Sequence, residues 1–352
     1  MLLNDIENYL QEIHEPSFRL KQLRTALYTQ YAINFTDITT LSKTLREALQ
    51  IKFGSTNPLK PLHTVKGDQV EKVLFETPSG HLIEAVKLTY LPNAERKNTH
   101  TALCLSTQSG CAMGCQFCAT GNIGFKQNLS SDEITGQYLY FKQKGDPIDS
   151  IIFMGMGEPF ANENNLFEAL HTLTDPNLFA LSPSRLSIST VGLIPGIERL
   201  TREFPQVNLT YSLHSPFDAQ RSQIMSVNQT YPIAAVFTAL NEYIEATKNR
   251  VFIAYTLLKD VNDSSEHAQA LAELIRAQKN TAYLYHVNLI RYNPCPSEVI
   301  FERAQSASVK AFQVILDRLG VKNTLRQDFG VEIDAACGQL YATYSQKQSL
   351  HN

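Results

Sequence analysis

The chain has 352 residues, of which 43% are hydrophobic and 18% charged, a composition that is typical of a globular protein and excludes an intrinsically disordered one. Its formal net charge of −3 gives no sign of the basic domain that many nucleic-acid-binding proteins carry. No run of about eighteen apolar residues occurs, and the first ten residues, MLLNDIENYL, carry acids where a signal peptide carries lysines. We therefore expect a cytoplasmic protein without a membrane span.

Residues 1–60 predict a small helical domain, because apolar side chains recur there at helical spacing, as in Leu20, Leu23 and Leu27. Residues 61–100 change to the pattern of β-strands. In this part VEKVLFET and HLIEAVKLTYL flank the turn residues Pro78-Ser79-Gly80, which predicts a β-hairpin extension.

From residue 101 to about residue 345 a strand, a loop and a helix alternate about six times, before a short tail at 346–352. The predicted strands are LCLST, IDSIIFMG, RLSIST, VNLTYSLH, RVFIAYTLL and YLYHVNLIRY. Amphipathic helices are predicted to begin at Ser130, Pro232 and about Ser306. Alternating strands and helices require a parallel sheet, so the sequence predicts an α/β fold with a partial (β/α)6-type barrel.

Three cysteines, Cys111, Cys115 and Cys118, stand in the stretch CAMGCQFCATG directly after the first predicted barrel strand. Thiols stay reduced in the cytosol, so this cluster indicates metal binding or catalysis rather than disulfides. Structural zinc prefers a closed set of four protein ligands. A [4Fe–4S] cluster held by three cysteines keeps one iron open to an external chelator, and we favour that interpretation over zinc.

Polar residues cluster where the predicted strands end, which is the edge that carries the chemistry in barrels of parallel strands. Gly157 and Glu158, in the stretch GMGEP, follow the second barrel strand. A carboxylate beside glycines can receive an ammonium group while the backbone approaches closely. Ser189, His214 and Asn293 follow later strands, although a lone histidine at such a position is more often a hydrogen-bonded core residue.

The three-cysteine spacing resembles the radical S-adenosylmethionine (SAM) superfamily, in which the open iron chelates the amino acid end of SAM. Over nearly its whole length the chain further resembles the RlmN/Cfr family of rRNA adenine methyltransferases. The resemblance is carried by LCLSTQSGCAMGCQFCATG, FMGMGEP, LSISTVGLIP, the SLHSP run, VNLIRYNP and IDAACGQLY. DPNLFALSPSRLSIST and YHVNLIRYNP are more similar to the Cfr branch than to the RlmN branch.

This resemblance implies methylation of adenosine 2503 in 23S rRNA. The Cfr branch methylates C8, which is expected to confer resistance to antibiotics that bind the peptidyl transferase centre, and the RlmN branch methylates C2. Methylation of C2, with or without tRNA adenosine 37 as a second substrate, therefore stays the alternative. A zinc-stabilised RNA-binding protein without catalysis is the alternative from another functional class.

The resemblance also implies a role for each site residue. Cys337 would accept a methyl group from one SAM, and a second SAM would supply the radical, so that two SAM molecules are used per turnover. Cys104 would release the product by forming a disulfide with Cys337, and Glu84 would accept the ring proton, although an exposed hairpin glutamate is the plain alternative for Glu84. The residues expected to contact SAM are Gly157, Glu158, Ser189, Ser212, Leu213, His214 and Asn293.

The partners implied by the resemblance are unassembled 23S rRNA, held in part by the N-terminal helical domain, and an electron donor such as flavodoxin. We expect a monomer. The sixth cysteine, Cys295, stands between two prolines in a loop, matches no cysteine of the family and is interpreted as a bystander.

Overall fold

The computed structural model describes residues 2–93, 97–295, 299–333, 335–336 and 338–340. The N-terminal part is helical, as its apolar spacing predicts: α1 (Leu2–Glu12), α2 (Phe18–Arg24) and α3 (Lys43–Phe53) are joined by a π-helical turn and a short 3-10 helix. Of the leucines named in this pattern, Leu23 and Leu27 are buried and Leu20 is partly buried. The helices therefore pack through one apolar face.

Twelve strands follow in the described residues. They are β1 (Lys60–Lys66), β2 (Val70–Glu76), β3 (Leu82–Tyr90), β4 (His100–Cys104), β5 (Gln108–Ser109), β6 (Gln127–Asn128), β7 (Ser150–Phe153), β8 (Leu186–Thr190), β9 (Asn208–Ser212), β10 (Val251–Leu257), β11 (Tyr285–Arg291) and β12 (Asn323–Leu325). β5 and β6 pair with each other, and the other ten form one sheet in the order β1-β2-β3-β4-β7-β8-β9-β10-β11-β12.

The predicted hairpin is present as the antiparallel pair β2 and β3. β1 pairs with β2 as a third strand. This strand is not predicted from the sequence because its side chains are almost all exposed and show no apolar alternation. β3 in turn pairs antiparallel with β4, the first barrel strand. The extension is thus continuous with the core sheet.

From β4 to β12 the neighbouring strands of the sheet run parallel. The six predicted barrel strands correspond to β4, β7, β8, β9, β10 and β11, and the predicted α/β fold with a partial barrel is confirmed. β12 adds a seventh parallel strand. It was not predicted because it spans three residues, which are partly exposed or exposed, too few to show a period.

Helices alternate with the parallel strands and cover the sheet. They are α4 (Ala119–Ile123), α5 (Ser131–Gln143), α6 (Glu163–Thr174), α7 (Ile194–Glu203), α8 (Asp218–Ile224), α9 (Ile233–Thr247), α10 (Ser265–Arg276) and α11 (Ser306–Arg318). α5 begins as predicted, because the Ser130 side chain accepts from the Glu133 amide while Glu133 accepts from the Ser130 amide. No helix within the described ranges is long and apolar enough to cross a membrane.

Candidate active site

A cavity lies at the carboxyl ends of the parallel strands and encloses about 1080 Å³, its open mouth included. Its wall includes most of the residues that the sequence singled out: Cys111, Cys115, Cys118, Gly157, Glu158, Ser189, Ser212, His214 and Asn293. Residues that are 182 positions apart in the chain therefore meet around one space, because the parallel strands end at one edge of the sheet.

The cysteine loop follows β4 and is folded tightly by glycine. Gly110 has a φ of +72°, and a Cβ there would lie 1.9 Å from the Gly124 carbonyl oxygen, so no other residue fits. Cys115 is buried and the other two cysteines are half-buried. Burial raises the pKa of Cys111 to about 12 and raises that of Cys115 well above its usual range. Without a metal these two groups are therefore neutral thiols.

The donor set suits an iron–sulfur cluster, since it consists of three cysteine sulfur atoms that line one cavity. In the described part of the chain no three His, Cys, Asp or Glu side chains are gathered closely enough to form a metal site as they stand. The thiols would have to turn toward a common point to bind a cluster.

Glu158 is buried in the loop that follows β7, and its carboxylate accepts from donors at the end of β8 and in its own loop. Its Oε1 accepts from Thr190 Oγ1 at 2.7 Å and from the Phe160 amide at 3.2 Å, and its Oε2 accepts from the Val191 amide at 2.9 Å. Burial raises the pKa of Glu158 to about 7, against the effect of these hydrogen bonds. A carboxylate has about four acceptor sites, so one site stays available for an ammonium group.

Gly157 lets the backbone approach this position. Its φ is +98°, and a Cβ would lie 2.6 Å from Gln108 Cβ. Gln108 in turn accepts from the Glu158 amide through Oε1 at 2.9 Å. The glycine is required here for both its conformation and the close contact.

His214 follows β9 in the left-handed region, with a φ of +58°. The Thr256 amide donates to its Nδ1 at 2.9 Å, which fixes the neutral tautomer with the proton on Nε2. Burial, together with the charge of Arg221, lowers the pKa of His214 to about 3. The ring packs edge-on against Phe117 of the cysteine loop, with 4.8 Å between centroids. His214 is thus a neutral N–H donor in the cavity wall.

The remaining predicted SAM residues differ in what they present to the cavity. Ser189 and Ser212 are hydrogen-bonded to each other at 3.2 Å. Asn293 is buried, and its Oδ1 has no hydrogen-bond partner, an arrangement that a bound ligand with an N–H or O–H would complete. Leu213 does not line the cavity; its side chain is fully buried in the core.

Cys104, at the end of β4, is buried and lines a second cavity of about 720 Å³. The two cavities share the wall residues Met154, Ile290, Asn293, Arg326 and Leu340. Tyr90 and Phe329 form an edge-on aromatic pair, 4.8 Å between centroids, on the wall of the second cavity. The second cavity therefore adjoins the first.

Glu84 lies on β3 and is buried, not exposed as the plain alternative had it. Its Oε1 is 3.2 Å from Lys72 Nζ. It belongs to the wall of neither cavity, although Val86, two residues further along the same strand, lines the second one. Alternate residues of a strand share a face, so Glu84 lies on the face that the second cavity adjoins.

Cys337 lies outside the described residues. Of the residues around it, Ala336 lines the second cavity and Gly338 the first. The Gly338 carbonyl accepts from the Ala119 amide at 2.8 Å, directly after the cysteine loop. The described C-terminal residues thus reach the place where the two cavities meet.

Three residues at the site were given no functional role from the sequence. Arg326 lines both cavities, and Arg221 is fully buried behind the wall. Cys295, interpreted as a bystander, lies against the cysteine loop, with its Sγ 3.7 Å from the Phe117 carbonyl oxygen. No local pattern identifies these residues, but Arg221 could have been noticed as a charged residue soon after the SLHSP run.

Comparison with known proteins agrees with this geometry. Residues 105–274 match the model of the radical SAM superfamily, and residues 1–53 match the ribosomal RNA large subunit methyltransferase N-terminal domain. The chain is 48% identical over 345 residues to "Ribosomal RNA large subunit methyltransferase Cfr" of Staphylococcus aureus, covering 97% of each chain. It is 47% identical to the protein of the same name from Bacillus velezensis, covering 98% of this chain and 97% of the relative.

A crystal structure of a radical SAM methyltransferase from Sphaerobacter thermophilus has the same fold, with a TM-score of 0.88 at 37% identity over 97% of both chains. The interpretation as a non-catalytic zinc protein has no support among these relatives, which are methyltransferases. Since the identity extends over almost the whole length, the chain belongs to the RlmN/Cfr family of radical SAM methyltransferases.

Proposed function

We propose that this protein methylates C8 of adenosine 2503 in 23S rRNA and uses SAM and a [4Fe–4S] cluster to do so. The observation that carries the proposal is the junction of two cavities, one lined by three cysteines and the other by Cys104. The relatives from Staphylococcus aureus and Bacillus velezensis are named as large subunit rRNA methyltransferases, which supports rRNA as the substrate.

Cys111, Cys115 and Cys118 would hold the cluster, and the cavity that they line would receive SAM. Adenine C2 and C8 are poor nucleophiles, and a cluster with bound SAM supplies the radical chemistry that methylation of such carbons needs. The Glu158 carboxylate would accept from the ammonium group of SAM. Asn293 Oδ1, which has no hydrogen-bond partner, would accept from another N–H or O–H group of the ligand. His214 would donate from Nε2 to an acceptor on the same ligand.

Cys337 would carry the methyl group as a thioether, after its thiolate has displaced it from a first SAM. A radical derived from the second SAM would remove one hydrogen atom from this methyl group, and the remaining carbon would bond to the base, so that the base is joined covalently to the Cys337 sulfur. The odd electron left on the joined base would pass back to the cluster. Glu84 would take the ring proton, and the Cys104 thiolate would attack the Cys337 sulfur. The bond between the Cys337 sulfur and the new carbon would break, and the released carbon would take up a proton to become the methyl group. A Cys104–Cys337 disulfide would result, which a cellular thiol reductant reopens. Two SAM molecules are consumed in each turnover.

The helical residues 1–60 would help to hold the RNA as an accessory domain, with the 61–100 extension joining them to the catalytic core at 101–345 and residues 346–352 as a tail. The match of residues 1–53 to the rRNA methyltransferase N-terminal domain supports this division. The target base has to leave its stack to reach the second cavity. The other partner would be a cytoplasmic electron donor of the flavodoxin class, acting on a monomer.

Regiochemistry is tested by mass analysis of the modified nucleoside from cells that express the chain. We expect 8-methyladenosine at position 2503. Finding 2-methyladenosine alone, at this position or in tRNA, would favour the RlmN-type alternative and reject the C8 assignment.

The role of Cys104 is tested by substituting it and, for comparison, substituting Cys295, a partly buried cysteine near the site. Cys104→Ala should accumulate a covalent adduct between protein and RNA, visible on a denaturing gel, because the releasing thiol is absent. Cys295→Ser is the matched control, since Cys295 has no part in the proposed chemistry, and it should release product normally. Normal release by Cys104→Ala would contradict the proposed resolution step.

A further inference from the structure

Arg221 is a fully buried arginine on α8, directly behind the wall of the first cavity. Its Nε donates to the Leu213 carbonyl at 3.0 Å, and its Nη2 donates to the carbonyls of Val191 at 2.8 Å and Ser212 at 3.0 Å. Its Nη1 donates to Asn228 Oδ1 at 2.7 Å. The guanidinium therefore ties the ends of β8 and β9 together through neutral acceptors.

No carboxylate within the described residues forms an ion pair with Arg221. Two acids reach it only through neutral groups. Glu158 accepts from the Val191 amide, whose own carbonyl accepts from Arg221. Asp218, which is exposed, accepts from the Asn228 amide group at 2.9 Å. Water screens an exposed carboxylate, so neither acid is a direct counter-charge.

A buried charge without a counter-charge is costly, and proteins retain such charges where something else compensates them. The field of Arg221 reaches the cysteine loop. It lowers the pKa of Cys115, although burial dominates and the net shift is upward. The two are also close in the fold, since α8 ends at Ile224, whose carbonyl accepts from the Gln116 amide at 3.1 Å.

We propose that Arg221 is the counter-charge of the iron–sulfur cluster, and that it makes the cluster easier to reduce. A [4Fe–4S] core bound by three thiolates carries net negative charge, and reduction by one electron adds another. A fixed cation in a dry environment stabilises the reduced form more than the oxidised form. This inference rests on the proposed function in requiring the cluster, and it makes Arg221 a positioning residue that does not touch SAM or RNA.

The test is the reduction potential of the reconstituted, cluster-loaded protein, measured by electron paramagnetic resonance during titration with dithionite. We expect Arg221→Gln, which removes the charge, to reduce the equilibrium constant for one-electron reduction at least tenfold, a shift of about 59 mV to more negative potential. Arg221→Lys, which keeps the charge, should stay close to wild type. A lost hydrogen bond alone would affect both variants alike.

Two further variants keep the inference testable if Arg221→Gln fails to fold. Asn228→Asp leaves Arg221 in place and puts a carboxylate against it, so it should shift the potential in the same direction. Asp218→Asn removes an exposed acid and should leave the potential unchanged. If cluster-loaded Arg221→Gln has the reduction potential of the wild type, this inference is wrong and the proposed function is not affected. If Arg221→Gln cannot be loaded with a cluster, a wild-type potential in Asn228→Asp has the same meaning. Wild-type protein that binds no cluster overturns the proposed function, and this inference with it.

Discussion

The cavity wall contains two buried groups whose protonation should affect stability in opposite directions as the pH falls. His214 has a pKa of about 3 in the folded protein, against 6.5 for an ordinary histidine. Glu158 has a pKa of about 7, against 4.5 for an ordinary glutamate. Between about pH 7.5 and pH 5, therefore, only the unfolded chain protonates the histidine, and only the folded protein protonates the glutamate.

The sign follows from which state binds the proton. Because the unfolded state gains the proton at His214, acidification over this range lowers the free energy of unfolding by about 2 kcal/mol. Because the folded state gains the proton at Glu158, the same acidification raises the free energy of unfolding by about 2 kcal/mol. In the wild-type protein without a cluster these two contributions nearly cancel.

Single substitutions should separate the two contributions. In Glu158→Gln only the histidine contribution remains. On acidification the free energy of unfolding of this variant should therefore fall by about 2 kcal/mol more than that of the wild type. In His214→Asn only the glutamate contribution remains, so acidification should raise the free energy of unfolding of this variant by about 2 kcal/mol relative to the wild type. Asparagine suits the position because it can accept from the Thr256 amide and tolerates a positive φ.

The measurement is urea unfolding of the cluster-free protein at both pH values, followed by circular dichroism. The double variant Glu158→Gln with His214→Asn is the control and should respond to pH as wild type does. If both single variants show the wild-type pH response, burial does not shift the two pKa values in the way described, and the reasoning about a dry cavity wall is wrong.

Three other predictions concern individual contacts. Gly157→Ala places a Cβ 2.6 Å from Gln108 Cβ at a φ of +98°, so it should lower the free energy of unfolding by about 2 kcal/mol or more; an unchanged urea midpoint would contradict this. Lys72→Met removes the ammonium group that lies 3.2 Å from the buried Glu84 carboxylate and should lower the free energy of unfolding by about 3 kcal/mol in the same assay. Adding Glu84→Leu to this variant should restore most of that loss, and a double variant no more stable than Lys72→Met would contradict the prediction. Cys295→Ser should leave the iron content of reconstituted protein unchanged, and loss of iron would show that Cys295 is a ligand.

Much of the fold was predictable from the sequence because its signals are local. The six barrel strands are short apolar runs separated by amphipathic helices, and the capping box at Ser130 and Glu133 marks the start of α5 within four residues. The three-cysteine spacing and the glycines around Glu158 are also local patterns. They identified a cavity wall because parallel strands bring their carboxyl ends together.

The sequence by itself thus determined the order of the six barrel strands and of the helices between them, the edge of the sheet that carries the site, and the three thiol donors of the cysteine loop. Only the tertiary structure decided which groups face one another. The antiparallel strands join the parallel sheet through β3 and β4, Glu84 is buried beside Lys72, and Arg221 is enclosed by carbonyls behind the cavity. These contacts join residues that are far apart in the chain or depend on burial, and burial is a property of the packed molecule that no local pattern contains.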